Sequence, residues 1–212
     1  MRTAGIILCG GKSSRMGLPK ATLPFGDELM LPRVVRLLGE VVDSLVVVAA
    51  PGQDLPPLPE SVLVTYDRRE GRGPLEGLAA GLSALPGDVD AAYVTACDVP
   101  LLVPGFVGRL FELLEGTSDK IAVPKVDGYH HPLSAVYSPS VLSDIEQLLS
   151  EDRLRPFFLF EQVPTREVTA DEWADVDLDS RTLDNLNRPE DYFRAAEAAG
   201  YDVPEAIRRE LT

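Results

Sequence analysis

Cysteine is scarce in this chain: Cys9 and Cys97 are its two among 212 residues. They stand at the ends of apolar runs and not at CxxC spacing, which excludes a zinc site and a disulfide framework and predicts reduced thiols in a cytoplasmic protein. Basic residues are also in the minority, with 20 Lys and Arg against 34 Asp and Glu. The resulting net charge of −14 argues against nucleic-acid partners. A small anionic ligand stays compatible if local cations collect it. No apolar run reaches the length of a membrane span, so no membrane partner is expected. The N-terminal MRTAGIILCGG lacks the length and cleavage pattern of a signal peptide and reads as a first core strand. Internal repeats, low-complexity segments and a polar flexible linker are absent too, so residues 1–212 read as a single domain. The proline cluster from Pro51 to Glu60 reads as a semi-rigid surface loop, because strand-like sequence resumes directly after it.

What is present is alternation. Short β-branched runs predict strands over Thr3 to Leu8, Ser44 to Ala49, Val62 to Tyr66, Ala91 to Ala96, Lys120 to Val123 and Leu133 to Tyr137. Amphipathic stretches between them predict helices over Pro32 to Val41, Pro74 to Leu85, Pro104 to Glu115 and Ser140 to Leu149. Three of these helices open on proline, whose missing N–H has no intrahelical partner in the first turn. The tail predicts a strand over Pro164 to Val168, a helix from Pro189 and an acidic last helix. Such a pattern specifies an α/β protein, a three-layer α/β/α sandwich with a mostly parallel central sheet.

The most informative stretch follows the first strand: Leu8-Cys9-Gly10-Gly11-Lys12-Ser13-Ser14-Arg15-Met16-Gly17-Leu18-Pro19-Lys20. A strand running into glycines exposes backbone N–H groups that can cradle phosphate at the carboxyl end of an open sheet. Lys12, Arg15 and Lys20 add positive charge in an otherwise acidic chain. Two familiar phosphate loops do not fit. A Walker A loop requires glycine where Ile6 stands, and adjacent Gly10 and Gly11 lack the spacing of a GxGxxG dinucleotide fingerprint.

The loop resembles the LAGGxSxRMGxxK signature of the molybdenum cofactor guanylyltransferases and, more loosely, the wider nucleotide-sugar pyrophosphorylase superfamily. It matches at Leu8, Gly10, Gly11, Ser13, Arg15, Met16, Gly17 and Lys20, with Cys9 in place of the usual alanine. Further segments fall in the family's order. Gly73-Pro74-Leu75-Glu76-Gly77-Leu78 resembles the GPLxGL helix start, and taken alone it also reads as a helix packed tightly on the sheet. Asp67 falls where the family places an acidic contact to the nucleotide. Cys97-Asp98-Val99-Pro100 resembles its DxP metal motif, and His131-Pro132-Leu133 its acceptor-side strand. Asn185-Leu186-Asn187-Arg188-Pro189-Glu190-Asp191 resembles NxNTPED, with Arg188 where threonine is usual. Asn185 and Asn187 alternate on one face of an extended run, and they also suit the cap of the next helix.

The resemblance implies a Rossmann-like nucleotide-diphospho-sugar transferase fold and transfer of GMP from GTP to molybdopterin or molybdenum cofactor, with pyrophosphate leaving. It implies Lys20, Arg15 and Asp98 as catalytic residues and Asp98 as the Mg²⁺ ligand. Leu8, Cys9, Gly10, Gly11, Ser13, Lys20, Asp67, Asp98, Asn185 and Asn187 are the implied substrate contacts, and molybdoenzyme maturation proteins are conceivable partners. Adjacent strand residues point to opposite faces, so His130 and His131 cannot easily share one ion; one is expected in solvent and His131 against the acceptor. Arg153 and Arg155 are candidate contacts to an anionic acceptor. Relatives that transfer CMP to the same pterin usually carry LAAG in the first loop, and Gly10 with Gly11 sides with the guanylyl type. Transfer to a sugar phosphate, or a non-catalytic nucleotide- or pterin-binding module, are the other readings; such a module would be expected to lose the metal carboxylate, whereas Asp98 is present.

Overall fold

The computed structural model describes residues 1–10, 16–69 and 71–211. The apolar run after Arg2 forms β1 (Thr3–Leu8), buried from Ala4 onward because both its faces are covered. Parallel strands flank it, β4 (Ser44–Ala49) on one side and β6 (Ala91–Ala96) on the other, with Leu8 level with Val48 and Ala96. Beyond β4 lies the edge strand β5 (Val62–Tyr66). Beyond β6 come β9 (Ala135–Tyr137), antiparallel to its neighbours, then β7 (Ile121–Val126) and β10 (Thr165–Val168). The sheet order is β10-β7-β9-β6-β1-β4-β5, a mostly parallel sheet.

Helices α1 (Met30–Gly39) and α3 (Pro104–Leu114) pack on one face, sharing their core with Trp173. Helices α2 (Pro74–Ser83), α4 (Leu142–Ser150) and α5 (Phe157–Gln162) cover the other. The predicted three layers are therefore the observed ones. A third apolar cluster joins the hairpin of β2 (Pro24–Phe25) and β3 (Glu28–Leu29) to α6 (Pro189–Ala198) and α7 (Glu205–Leu211). Arg33 fastens that cluster to the sheet: its Nε donates to the Pro100 carbonyl at 2.7 Å, and its guanidinium stacks on Phe25 and Tyr201.

Several boundaries differ from the sequence expectation. The first helix begins at Met30, so Pro32 is its third residue, still in the turn whose N–H groups lack intrahelical partners. The strand predicted from Leu133 starts only at Ala135, because His131 to Ser134 close a turn, Ser134 N–H donating to the His131 carbonyl, that follows a short hairpin. That hairpin pairs β8 (Tyr129–His130) with β7 around Asp127-Gly128, both at positive φ as a two-residue turn demands. Helix α5 was not anticipated at all.

Chain order and sheet order together locate the site. From β1 the chain crosses outward to β4 and β5, then returns to place β6 on the opposite side of β1. The crevice beyond the carboxyl ends of β1 and β6 is thus the topological switch point, where open α/β sheets take ligands. Close approach of α2 deepens it: a Cβ on Gly81 would lie 2.5 Å from Ile6 Cγ2, and one on Gly77 3.2 Å from Leu8.

Candidate functional site at the switch point

A cavity of about 690 Å³ opens over these strand ends. Leu8, Gly10, Asp67, Asp98, Asn185 and Asn187 line it, which brings together residues from four separated stretches of sequence. Gly10 leaves β1 directly beneath the Asp67 carboxylate, and Gly77 on α2 closes its other side: added Cβ atoms would sit 2.8 Å from Asp67 Oδ2 and 3.3 Å from Oδ1. Enclosure by these backbones, with a smaller contribution from the Glu76 carboxylate, raises the Asp67 carboxyl above its ordinary pKa. Helix α2 points its N-terminus at the same space; Gly73, at φ 76°, turns the chain into it and no side chain caps it. An uncapped helix start offers N–H donors and a positive dipole end to an anion. The close approach of Gly77 and Gly81 to β1 bears out the reading of α2 as a helix packed tightly on the sheet.

Asp98 leaves the end of β6 buried at 8% exposure. Its Oδ2 accepts from Lys20 Nζ at 2.6 Å, and the same ammonium donates to Asn187 Oδ1 at 3.1 Å. Lys20 sits in a short 3₁₀ turn, Lys20–Thr22, stabilised by Thr22 and Leu23 N–H bonds back to Pro19 and Lys20. Asn187 is held in place by its neighbours: Leu186 N–H donates to the Asp98 carbonyl, and the Asp191 carboxylate accepts from the N–H groups of Asn187 and Arg188. That aspartate stands at the third position of α6 and reaches back to the N–H groups at the helix start. Upstream, buried Asp177 accepts from Arg181 and Thr182 N–H, and Thr182 Oγ1 from Val103 N–H, pinning the segment before Asn185.

Asp98 Oδ1 is buried and has no hydrogen-bond partner. Among the described residues no group of three or more His, Cys, Asp or Glu side chains could hold a metal. A hard divalent cation that takes one carboxylate and completes its shell with phosphate and water fits such a donor set, whereas an all-protein cage does not.

Other predicted residues fall differently. Gly11, Ser13 and Arg15, with Lys12, lie outside the described residues. Cys9 does not line the cavity: its N–H donates to Val48, its carbonyl accepts from Gln53, and its thiol packs in the α1–α3 core against Cys97. Neither His130 nor His131 stands free in solvent, contrary to expectation. His130 Nε2 lies 2.7 Å from Glu167 Oε1, and burial, with a smaller contribution from His130, lowers the pKa of half-buried His131. Leu133, not His131, reaches the cavity wall. Arg153 is spent on Glu151 and the Phe158 ring, and neither it nor Arg155 lines the cavity.

Two arginines that the sequence reading passed over do line it. Arg72 is clasped by the Leu149 carbonyl, Asp152 at 3.1 Å and Glu76 at 3.6 Å. Arg69 is exposed at the rim. Their signal was the cluster Arg68, Arg69 and Arg72 that follows Asp67 between a strand end and a helix start.

An open α/β sheet with a glycine leaving its first strand, an uncapped helix start and a lysine-paired carboxylate around one crevice is the architecture of a nucleotide-binding protein. The chain belongs to the MobA-like NTP transferase family, whose domain profile matches residues 5–165. A Mycobacterium avium protein named probable molybdenum cofactor guanylyltransferase is 34% identical over 201 residues, 93% of this chain and 97% of that one. Among solved structures, molybdopterin-guanine dinucleotide biosynthesis protein A from Archaeoglobus fulgidus superposes with a TM-score of 0.77 at 20% identity, over 93% of this chain and 98% of its own. A Mycobacterium tuberculosis protein solved as a complex with manganese superposes with a TM-score of 0.63 at 15% identity, over 93% and 100%. Among the described residues no helix is long and apolar enough to cross a membrane.

Proposed function

We propose that residues 1–212 form one nucleotidyltransferase domain that transfers GMP from GTP to molybdopterin or molybdenum cofactor, releasing pyrophosphate, with Mg²⁺ as cofactor. The acceptor follows from the name of the 34% identical relative, which spans nearly the whole chain. The observation that carries the chemistry is the Lys20–Asp98 pair at 2.6 Å, set at the switch point between Gly10 and Asn187.

In this reading a phosphate oxygen of the acceptor attacks the α-phosphorus of the nucleotide in line, and pyrophosphate departs on the opposite side. Such a reaction asks the protein mainly to position reactants and neutralise charge. Gly10 and the residues after it, Gly11, Ser13 and Arg15, cradle the leaving phosphates, and the α2 N-terminus adds donors nearby. Asp67 contacts the nucleoside. Lys20 neutralises charge at the α-phosphate. Asn187, already bonded to Lys20, and Asn185 orient the acceptor. Mg²⁺, held by Asp98, would supply Lewis-acid polarisation of the phosphoryl oxygens. Two reduced thiols, Cys9 and Cys97, suit a cytoplasmic protein.

Pyrophosphate release with Mg²⁺, each of GTP, CTP, ATP and UTP, and the pterin acceptor tests this directly, with Asp98→Ala as control. Release with GTP alone, lost in the variant, is the expected result. Release with CTP moves the chain to a cytidylyl activity, and no release with any nucleotide removes the pterin as acceptor and leaves a sugar-phosphate acceptor or a non-catalytic binding module.

A further inference from the structure

The Lys20–Asp98 pair does more than mark the site. Both side chains are largely enclosed, 14% and 12% exposed, and the ammonium is fixed by a second bond to Asn187. The pair is formally neutral. A divalent cation arriving alone would meet a carboxylate whose charge is already compensated, with an ammonium on the neighbouring oxygen and water largely excluded. Like charges at that separation repel far more strongly in an enclosed site than in bulk water. No third acidic or imidazole ligand among the described residues offsets this. Yet Asp98 Oδ1 is buried, lacks a partner and is open to a cation once the repulsion is relieved.

We propose that Lys20 bars free divalent cations from Asp98, and that the nucleotide binds first or together with its metal. A triphosphate relieves the repulsion in two ways. It brings several negative charges into the crevice, and its oxygens offer the Lys20 ammonium an alternative partner to Asp98 Oδ2. The same lysine would then act twice, as a gate before the nucleotide enters and as a phosphate contact afterwards. The inference rests on the nucleotidyltransferase reading only in naming a polyphosphate as the ligand that draws Lys20 away.

Mn²⁺ alone is the probe, followed by electron paramagnetic resonance of the unbound ion during titration of nucleotide-free protein. Wild type should retain Mn²⁺ weakly, with a dissociation constant in the millimolar range. Lys20→Met should bind at least ten-fold more tightly, Lys20→Arg should behave as wild type because the charge remains, and Lys20→Met combined with Asp98→Asn should lose the gain. Equal binding by wild type and Lys20→Met overturns the proposal. If the methionine variant does not fold, wild type still decides: micromolar Mn²⁺ binding without nucleotide overturns it. Because the titration contains neither GTP nor pterin, its outcome is separate from the choice of base and acceptor, which the pyrophosphate assay reads.

Discussion

Gly10 and Asp67 are matched in space: residue 10 lies so near the Asp67 carboxylate that a single added methyl carbon would come within 2.8 Å of Oδ2. Gly10→Ala must therefore push the carboxylate out of its slot between Gly10 and Gly77. The expected result is a rise of about ten-fold in the nucleotide dissociation constant, since displacing one charged contact typically costs about 1.4 kcal/mol or more. Calorimetric titration with GTP measures it, and an unchanged constant would mean that Asp67 does not touch the nucleotide.

Asp67 should also show the cost of function to the fold. Its pKa is raised in the folded protein, first by burial and then by Glu76. A carboxyl with a raised folded pKa favours the fold while protonated and loses that advantage as pH climbs through the folded value. At neutral pH the ionised form is thus a liability. Asp67→Asn is predicted to raise Tm at pH 7 while weakening nucleotide binding, and the gain in Tm should shrink as pH falls into the ordinary carboxylate range. Thermal melts from pH 4 to 8 give the sign; a variant less stable at pH 7 would contradict it.

Lys20→Ala should lower kcat by about 10²- to 10³-fold, the usual consequence of removing one donor to charge that develops in a transition state. The nucleotide KM should move much less. Steady-state kinetics separate the two, and an unaltered kcat would take Lys20 out of the chemistry.

Gly81→Ala tests the packing that brings α2 to the crevice. The new methyl would fall 2.5 Å from Ile6 Cγ2 and 3.2 Å from Val48 Cγ2, in a buried layer with no solvent to yield into. A loss of about 1–3 kcal/mol is expected from overpacking of this kind. Urea unfolding reports it, and a neutral substitution would show that α2 can shift outward freely.

Much of this architecture was legible in the sequence. Buried parallel strands such as Thr3–Leu8 and Ala91–Ala96 read as uninterrupted apolar runs because both faces are covered, so their limits were found to the residue. The proline starts at Pro74 and Pro104 were equally plain. The Asp127-Gly128 hairpin was also written in the chain, as a DG pair, but its second strand, Tyr129–His130, is two residues long and too short to display alternation. Helix α5 has six residues, too few to display a helical period. In the site, Asp98 and Lys20 were marked by motif, yet their direct bond across 78 positions was not, since periodicity speaks only of neighbours. The Cys9 thiol packs in the α1–α3 core, as alternation along the strand dictates. Adjacency to Gly10 in the chain places it on the other face of the sheet, not in the cavity.

The bond between Lys20 and Asn187 spans 167 positions and completes the constellation around Asp98. During synthesis at about 5–20 residues per second, the lysine leaves the ribosome roughly 8–33 s before the asparagine that receives its proton donor. A nascent chain that has reached β6 and Asp98 already carries both Lys20 and Asp98, yet the wall formed by Asn185 and Asn187 is still untranslated. Competence for the proposed transfer therefore waits for the segment that carries Asn185 and Asn187.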